Sequence, residues 1–202
     1  MTEKELYKEL GDLTKNRDHW EDNISYIGTL LHGQTARITA KALWLIGEMG
    51  LIYPNKVTGF VPTIAAFLTD QNPLLRERAL NALGRIGRAD VEVVKPHLQD
   101  MFFVSRDEAP NVRLSLIWAS ENIATNTPEL FEDCMELFVE LLNDSDDRVR
   151  MEAPEIFRVL GKRRPELVQP YLQELANLSE NDPNRVVRIH AFGAIKAAQT
   201  QP

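Results

Sequence analysis

A repeat of fixed length constrains the fold of this chain more than any other sequence feature. Arg76 is followed by an arginine at intervals of 37, 37 and 38 residues. The later members of this series are Arg113, Arg150 and Arg188. Internal periods of this length are typical of arrays in which each unit buries its apolar face against its neighbours.

An aspartate stands six residues before each of these arginines. The pairs are Asp70 with Arg76, Asp107 with Arg113, Asp144 with Arg150, and Asp182 with Arg188. This pattern resembles the HEAT repeat, in the short form of bacterial HEAT-like and phycobilin-lyase-like proteins. The resemblance implies that the pairs form a hydrogen-bonded structural ladder between repeats. Thr39 and Gly33 replace the pair one period earlier, so we expect the ladder to begin at the second full repeat.

Apolar residues at three-residue steps predict the second helix of each repeat. One such series is Val61, Ile64 and Phe67. With the resemblance, this periodicity predicts an all-α fold, a right-handed α-solenoid of about five HEAT-like helix pairs and a C-terminal half repeat. We predict a single domain over residues 1–202. Its parts are an atypical first pair at 1–33, repeats starting near 34, 71, 108 and 145, and a half repeat at 182–202.

Composition limits the class of partner and the cellular compartment that we expect for this protein. The formal net charge of −7 argues against nucleic acid, because phosphate binding requires clustered Lys and Arg. The single cysteine, Cys134, fits a reducing compartment. The first residues lack a signal-peptide pattern, and no apolar run is long enough to span a membrane. We therefore expect a cytoplasmic protein without membrane contact.

No residue pattern typical of catalysis was found. The four histidines and the cysteine do not have zinc-ligand spacing, and no glycine-rich phosphate loop occurs. We expect no catalytic residue, metal or cofactor. His97 and Cys134 share a column of the repeat. They are interpreted as packed neighbours, and a nucleophilic Cys–His pair is the alternative.

One second helix is acidic. Glu129, Glu132, Glu136 and Glu140 would lie within about 80° of one another on an α-helix. They form either a solvated face or a patch for a basic partner. The resemblance places second helices on the concave side, which favours a groove. Phe103 has the equivalent position one repeat earlier, either as an exposed anchor or folded back onto its helix.

Trp44 lies five residues beyond Thr39, and Trp118 lies five residues beyond Arg113, which has the same place in its repeat. On an α-helix, this position points about 180° away from the mean direction of the apolar residues of the same helix. The equivalent residues Asn81 and Glu155 are not typical of a core. The two tryptophans are therefore expected on outer helices, either covered by a neighbouring segment or in contact with a partner or another subunit.

The favoured function is a non-catalytic, protein-binding scaffold of HEAT or armadillo-like type whose partner presents a basic segment. Two alternatives stay open. One is a HEAT-like DNA glycosylase for alkylated bases, against which the acidic helix argues, since those enzymes use a basic concave face. The other is a tetrapyrrole lyase or chaperone subunit. The sequence leaves the identity of the partner and the oligomeric state open.

Overall fold

A computed structural model of the protein describes residues 1–199. Over this range the chain consists of α-helices, short 3-10 helices and connecting turns, with no β-strand. The α-helices are α1 (Glu3–Lys15), α2 (Trp20–Thr29), α3 (Ala36–Ile52), α4 (Pro54–Val57), α5 (Val61–Ala66), α6 (Pro73–Ala89), α7 (Leu98–Phe103), α8 (Pro110–Ala124), α9 (Met135–Leu142), α10 (Asp147–Arg163), α11 (Pro165–Val168), α12 (Leu172–Asn181) and α13 (Arg185–Gln199). The 3-10 helices are Arg17–His19, Thr58–Phe60, Phe67–Thr69, Val91–Val93, Lys95–His97, Val104–Arg106, Pro128–Cys134 and Gln169–Tyr171.

The long first helices follow the period of the sequence. Helices α3, α6, α8, α10 and α13 begin at residues 36, 73, 110, 147 and 185. Pro73 and Pro110 occupy the first positions of α6 and α8, where the missing N–H removes no intrahelical hydrogen bond. The predicted all-α repeat fold is confirmed. Residues 200–202 of the predicted half repeat lie outside the described residues.

The second helix of each repeat is interrupted by 3-10 turns. Residues 54–69, 91–106, 128–142 and 165–181 each combine 3-10 turns with α-helix. Pro62, Pro96 and Pro170 lie at or beside these breaks, and a proline cannot donate the hydrogen bond that continues an α-helix. Between α1 and α2 the chain forms the 3-10 helix Arg17–His19.

Two compact units divide the chain, a first unit of Met1–Phe103 and a second unit that begins at Val104. In the first unit, α3 packs along α6 and also contacts α1 and α2. Trp20, Leu43 and Ile46 are fully buried there. The close approach of the two long helices requires a glycine, because a Cβ at Gly47 would lie 2.7 Å from the Cα of Ala82.

In the second unit, α10 packs between α8 and α13, and α12 contacts α13. Phe131, Phe138 and Phe157 are fully buried and supply much of its core volume. Helix α10 runs without interruption through Pro154, which is itself buried. This packing fixes the polar side chains of α8, α10 and α12 in the positions described below.

Candidate functional site

The Asp–Arg pairs join successive repeats inside the second unit. Nε of Arg113 lies 2.6 Å and Nη2 lies 2.7 Å from the two carboxylate oxygens of Asp144. Nε of Arg150 lies 3.2 Å from Oδ2 of Asp182. Hydrogen bonding to Asp144 raises the pKa of Arg113, so this guanidinium stays charged. These charges are largely shielded from solvent, and each side chain is held by its partner.

The same residues also form hydrogen bonds within their own repeats. In each of the four Asp–Arg pairs, Nη1 of the arginine donates to the backbone oxygen of the aspartate, at 2.5 to 2.8 Å. The aspartate Oδ1 accepts from the backbone N–H two residues later. The donors are the backbone N–H groups of Asn72, Ala109, Asp146 and Asn184, at 2.7 to 2.9 Å. The ladder residues are thus engaged in structural hydrogen bonds, and their effect on stability is a prediction.

The second unit also presents the predicted acidic residues to solvent. We name Glu129, Glu132, Asp133 and Glu136 the acidic surface; all four are exposed. The first three belong to the 3-10 helix Pro128–Cys134, and Glu136 begins α9. The expected single stripe along one α-helix is therefore wrong, because a 3-10 helix turns by about 120° per residue and the register changes at Met135.

Glu140 is already paired, unlike the carboxylates of the acidic surface. Its two oxygens lie 2.7 to 3.2 Å from Nε and Nη2 of Arg106. This bidentate hydrogen bonding lowers the pKa of Glu140 and raises that of Arg106. Both side chains remain exposed to solvent. Glu140 is therefore locally neutralised and adds little to the field of the acidic surface.

Glu136 is fixed by a neighbouring repeat. The hydroxyl of Tyr171 donates to Oε1 of Glu136 at 3.0 Å. Desolvation, followed by this carboxylate, raises the pKa of Tyr171, which keeps the hydroxyl protonated as a donor. The nearby cation Arg164 is bound by Glu166, and Glu132 and Glu129 further raise its pKa. The region keeps an excess of carboxylates over guanidinium groups.

The three predicted aromatic contacts lie in different environments. Phe103, at the end of α7 in the first unit, is 84% exposed, so its ring is not folded back onto its helix. Trp118, on α8 of the second unit, is 39% exposed, whereas Trp44 on α3 is half-buried. Asn81 and Glu155, at the equivalent repeat position, are both buried. The expectation that this position faces away from the core is thus wrong for those repeats.

Cys134 does not have the properties of a nucleophile. Burial, reinforced by the charge of Asp133, raises the pKa of its thiol to about 12. Its Sγ donates to the backbone oxygen of Phe131 at 3.4 Å. Thiolate formation near neutral pH is therefore strongly disfavoured. Over residues 1–199, no group of three or more His, Cys, Asp or Glu side chains is arranged to hold a metal ion.

A buried carboxyl group in the second unit was not singled out from the sequence. Burial, followed by the charges of Glu152 and Glu155, raises the pKa of Glu121 to about 8. Its Oε1 is buried without a hydrogen-bond partner. Glu155 is itself engaged by Arg158 and lies 3.4 Å from Nδ1 of His190. Burial therefore favours the protonated form of Glu121 in the folded protein.

A cleft in the first unit was also missed. We name it the basic cleft; it has a volume of about 300 Å³. It is lined by Tyr7, Arg37, Ala40, Lys41, Trp44, Leu74 and Arg78. The spacing of Arg37, Lys41 and Trp44 places them on one face of α3, which is a signal present in the sequence. The contribution of Tyr7 and Arg78 depends on packing between α1, α3 and α6, which local sequence does not reveal.

Comparison with protein families identifies the class of the chain. The model of the family described as sister chromatid cohesion protein PDS5 matches residues 15–197. The chain belongs to this family. The match supports the HEAT-type repeat resemblance, whereas the phycobilin-lyase-like subtype stays a prediction. None of the curated proteins matches the chain.

Solved structures of similar fold include designed armadillo repeat proteins. A designed armadillo repeat protein in complex with the peptide (KR)4 has a TM-score of 0.72 at 19% identity, covering 95% of this chain and 86% of that one. A second designed armadillo repeat protein has a TM-score of 0.70 at 18% identity, covering 98% and 95%. An engineered protein from a structural genomics consortium has a TM-score of 0.69 at 19% identity, covering 98% and 99%. These likenesses establish the fold class, an α-solenoid of repeats. In the described part of the chain, no helix is both long and apolar enough to cross a membrane.

Proposed function

We propose that this protein is a non-catalytic scaffold whose acidic surface binds a basic segment of another protein. The observation that carries the proposal is the state of Glu129 and Glu132. Both are exposed, and neither makes a side-chain ion pair within residues 1–199. Their carboxylates are therefore available to a cationic partner, in contrast to Glu140, which Arg106 neutralises.

The distribution of charge along the chain supports the same site. Residues 1–103 contain 13 acidic and 12 basic residues, for a net charge of −1. The remaining residues contain 17 acidic and 11 basic residues, for a net charge of −6. A basic segment is therefore drawn to the second unit, and the acidic surface lies on that unit. Such a field increases the rate of encounter more than it lengthens the lifetime of the complex.

The fold class is compatible with peptide binding. A designed armadillo repeat protein of similar fold was solved with the peptide (KR)4, which alternates lysine and arginine. Another structure of this class is described as designed for modular peptide recognition. In the present chain, Tyr171 holds Glu136 in place, and pre-organised acceptors lose less conformational entropy on binding. Arginine is suited to such carboxylates because its planar fork can bind both oxygens.

The test is binding of fluorescently labelled (KR)4, measured by anisotropy at two ionic strengths. We expect saturable binding that weakens as salt is added, because the carboxylates are exposed. Glu132→Lys should weaken binding by about tenfold, which corresponds to a change of roughly 1.4 kcal/mol. Glu180→Lys is the matched control, since Glu180 is also an exposed glutamate of the second unit and the substitution changes the net charge equally.

Equal effects of Glu132→Lys and Glu180→Lys would show that only net charge matters, and the proposed site would then be rejected. The exposed aromatic residues are tested with the same peptide. Phe103→Ala and Trp118→Ala should each leave the association rate unchanged. A faster dissociation in either variant would identify that ring as a contact, as truncated hot-spot aromatics generally affect dissociation.

A further inference from the structure

The basic cleft combines cations and aromatic rings from three helices of the first unit. The guanidinium carbon of Arg37 lies 3.9 Å from the centroid of the Tyr7 ring. Nζ of Lys41 lies 4.4 Å from the centroid of the Trp44 ring. Arg78 of α6 completes the cationic wall. The rings orient the cations through cation–π attraction, but a neutral ring leaves their positive charge uncompensated.

No acidic side chain lines the basic cleft among the described residues. Arg78 has an ion pair with Glu77, at 3.5 Å, but Glu77 is not part of the lining. Burial, together with repulsion from Arg78, lowers the pKa of Lys41. Two like charges are thus held close together in a partly desolvated space. A bound anion would relieve this repulsion and would gain strength from the lower local dielectric constant.

We propose that the basic cleft binds a carboxylate side chain in an acidic segment of a protein partner. Its volume of about 300 Å³ is at the small end of ligand sites. Ala40, Leu74 and the two rings add apolar walls that a peptide side chain contacts and a free inorganic anion does not. This site lies in the other unit from the acidic surface and selects a partner segment of opposite charge.

A peptide is favoured over nucleic acid because of the small number of cations in the cleft. The cleft offers three cations, whereas tight binding of a phosphate backbone generally uses about 6–10 phosphate contacts. An acidic segment that places about two or three of its carboxylates in the cleft matches the number of cations there.

The test uses a labelled octapeptide of alternating aspartate and glutamate, (DE)4, with the neutral octapeptide (NQ)4 as the peptide control. Anisotropy titrations should show salt-sensitive binding of (DE)4 and none of (NQ)4. Lys41→Gln and Arg78→Gln should each weaken binding at least about tenfold, equivalent to 1.4 kcal/mol or more. Lys95→Gln is the matched control, because Lys95 is an exposed cation of the same unit and does not line the cleft.

Circular dichroism melting curves of both cleft variants show whether each is folded before binding is measured. The proposal is overturned if (DE)4 does not bind the wild type, or if Lys95→Gln weakens binding as much as the cleft variants do. It is also overturned if a single-stranded oligonucleotide binds more tightly than (DE)4 and loses affinity in the same variants. Sedimentation velocity tests whether a second copy of this chain occupies the cleft instead. If the wild type does not bind (DE)4 but forms a dimer, and Lys41→Gln abolishes that dimer, the cleft is an interface between two copies.

Discussion

The two units use different means to join one repeat to the next. In the first unit, α3 and α6 are in close contact at Gly47, and Thr39 stands where later repeats have an arginine. In the second unit, α8, α10 and α13 are linked by Arg113–Asp144 and Arg150–Asp182 ion pairs. The same repeat period thus tolerates two kinds of junction, one held by close helix packing and one in which ion pairs are added to close packing, as at Gly161 against Ala198.

The units also differ in the charge that they leave for a partner. The second unit has exposed carboxylates at Glu129 and Glu132, whereas the cations of its ladder are used internally. The first unit is close to neutral, yet it gathers Arg37, Lys41 and Arg78 around one cleft. Net charge alone therefore does not indicate where a ligand binds. The decisive property is which charges are left uncompensated by their neighbours.

The largest difference between the units is expected for substitutions in the ladder. Asp144→Ala removes both oxygens bound by Arg113 and leaves a shielded guanidinium without its carboxylate. This should lower the free energy of unfolding by about 3–5 kcal/mol. Asp70→Ala is the matched substitution in the first unit, where Asp70 accepts a hydrogen bond from Asn72 N–H and residue 39 is a threonine. Its cost should be about 1 kcal/mol.

Urea denaturation of the two aspartate variants measures this contrast directly. A midpoint shift that is several times larger for Asp144→Ala than for Asp70→Ala is the expected outcome. Equal shifts would mean that Asp144 matters only for its turn, and that the ion pair adds nothing to the junction. A control for binding is available in the same samples, because neither substitution touches the acidic surface and (KR)4 should still bind.

The junction of the first unit is tested by adding a single methyl group. A Cβ at residue 47 would lie 2.7 Å from the Cα of Ala82, so Gly47→Ala forces α3 and α6 apart. The expected destabilisation is about 1–3 kcal/mol, the usual cost of overpacking. In the second unit, a Cβ at Gly193 would lie 3.6 Å from Arg158 Cδ, an ordinary contact. Gly193→Ala should therefore be neutral or stabilising, because alanine favours the helix.

Thermal melting distinguishes these glycine variants with little ambiguity. The melting temperature should fall for Gly47→Ala and stay constant or rise for Gly193→Ala. A Gly47→Ala protein as stable as the wild type would show that the two helices can separate without loss, and the shape-dependent junction would then be an incorrect description.

A smaller change, counted per pH unit, is predicted for the pH dependence of the free energy of unfolding. It arises in the second unit. The pKa of Glu121 is raised from 4.5 to about 8, so the folded state holds a proton that the unfolded state releases. The stabilisation is fully present below about pH 4.5 and is lost as the pH rises through about 8. Between these values the free energy of unfolding should fall by about 1.4 kcal/mol per pH unit from this group.

Glu121→Gln reproduces the neutral carboxyl and should remove this part of the pH dependence. The groups that act on Glu121 are Glu152, Glu155 and Arg158, and they remain in the variant. Chemical denaturation at pH 5, 6, 7 and 8 gives the difference in slope between the two proteins. Parallel curves for the wild type and Glu121→Gln would show that Glu121 titrates normally.

Features that recur with the repeat could be predicted from the sequence, whereas features that depend on packing between helices could not. The arginine and aspartate periods define the first helices and the repeat fold. The sequence left open whether the second helices are broken, because apolar three-residue steps fit both a 3-10 helix and an α-helix. The prolines at residues 62, 96 and 170 were the available signal for three of them.

The candidate sites show the same limit. The acidic residues were singled out because they are close together in sequence, and Glu140 was included with them although Arg106 pairs with it. The Arg106–Glu140 pair joins residues 34 positions apart, so its neutralising effect is not visible locally. Trp44 was noticed for its odd position in the repeat, whereas Tyr7 and Arg78, which complete its cleft, come from other helices.

Amide chemical-shift mapping during a titration with unlabelled (KR)4 tests the central claim most directly. Two-dimensional TROSY spectra of the isotopically labelled protein report each backbone position separately. The account predicts saturable shifts concentrated in residues 128–142, with the amides of α3 unchanged. Shifts concentrated elsewhere, around Trp118 or Phe103, or no saturable shifts at all, would contradict the assignment of the acidic surface as the binding site.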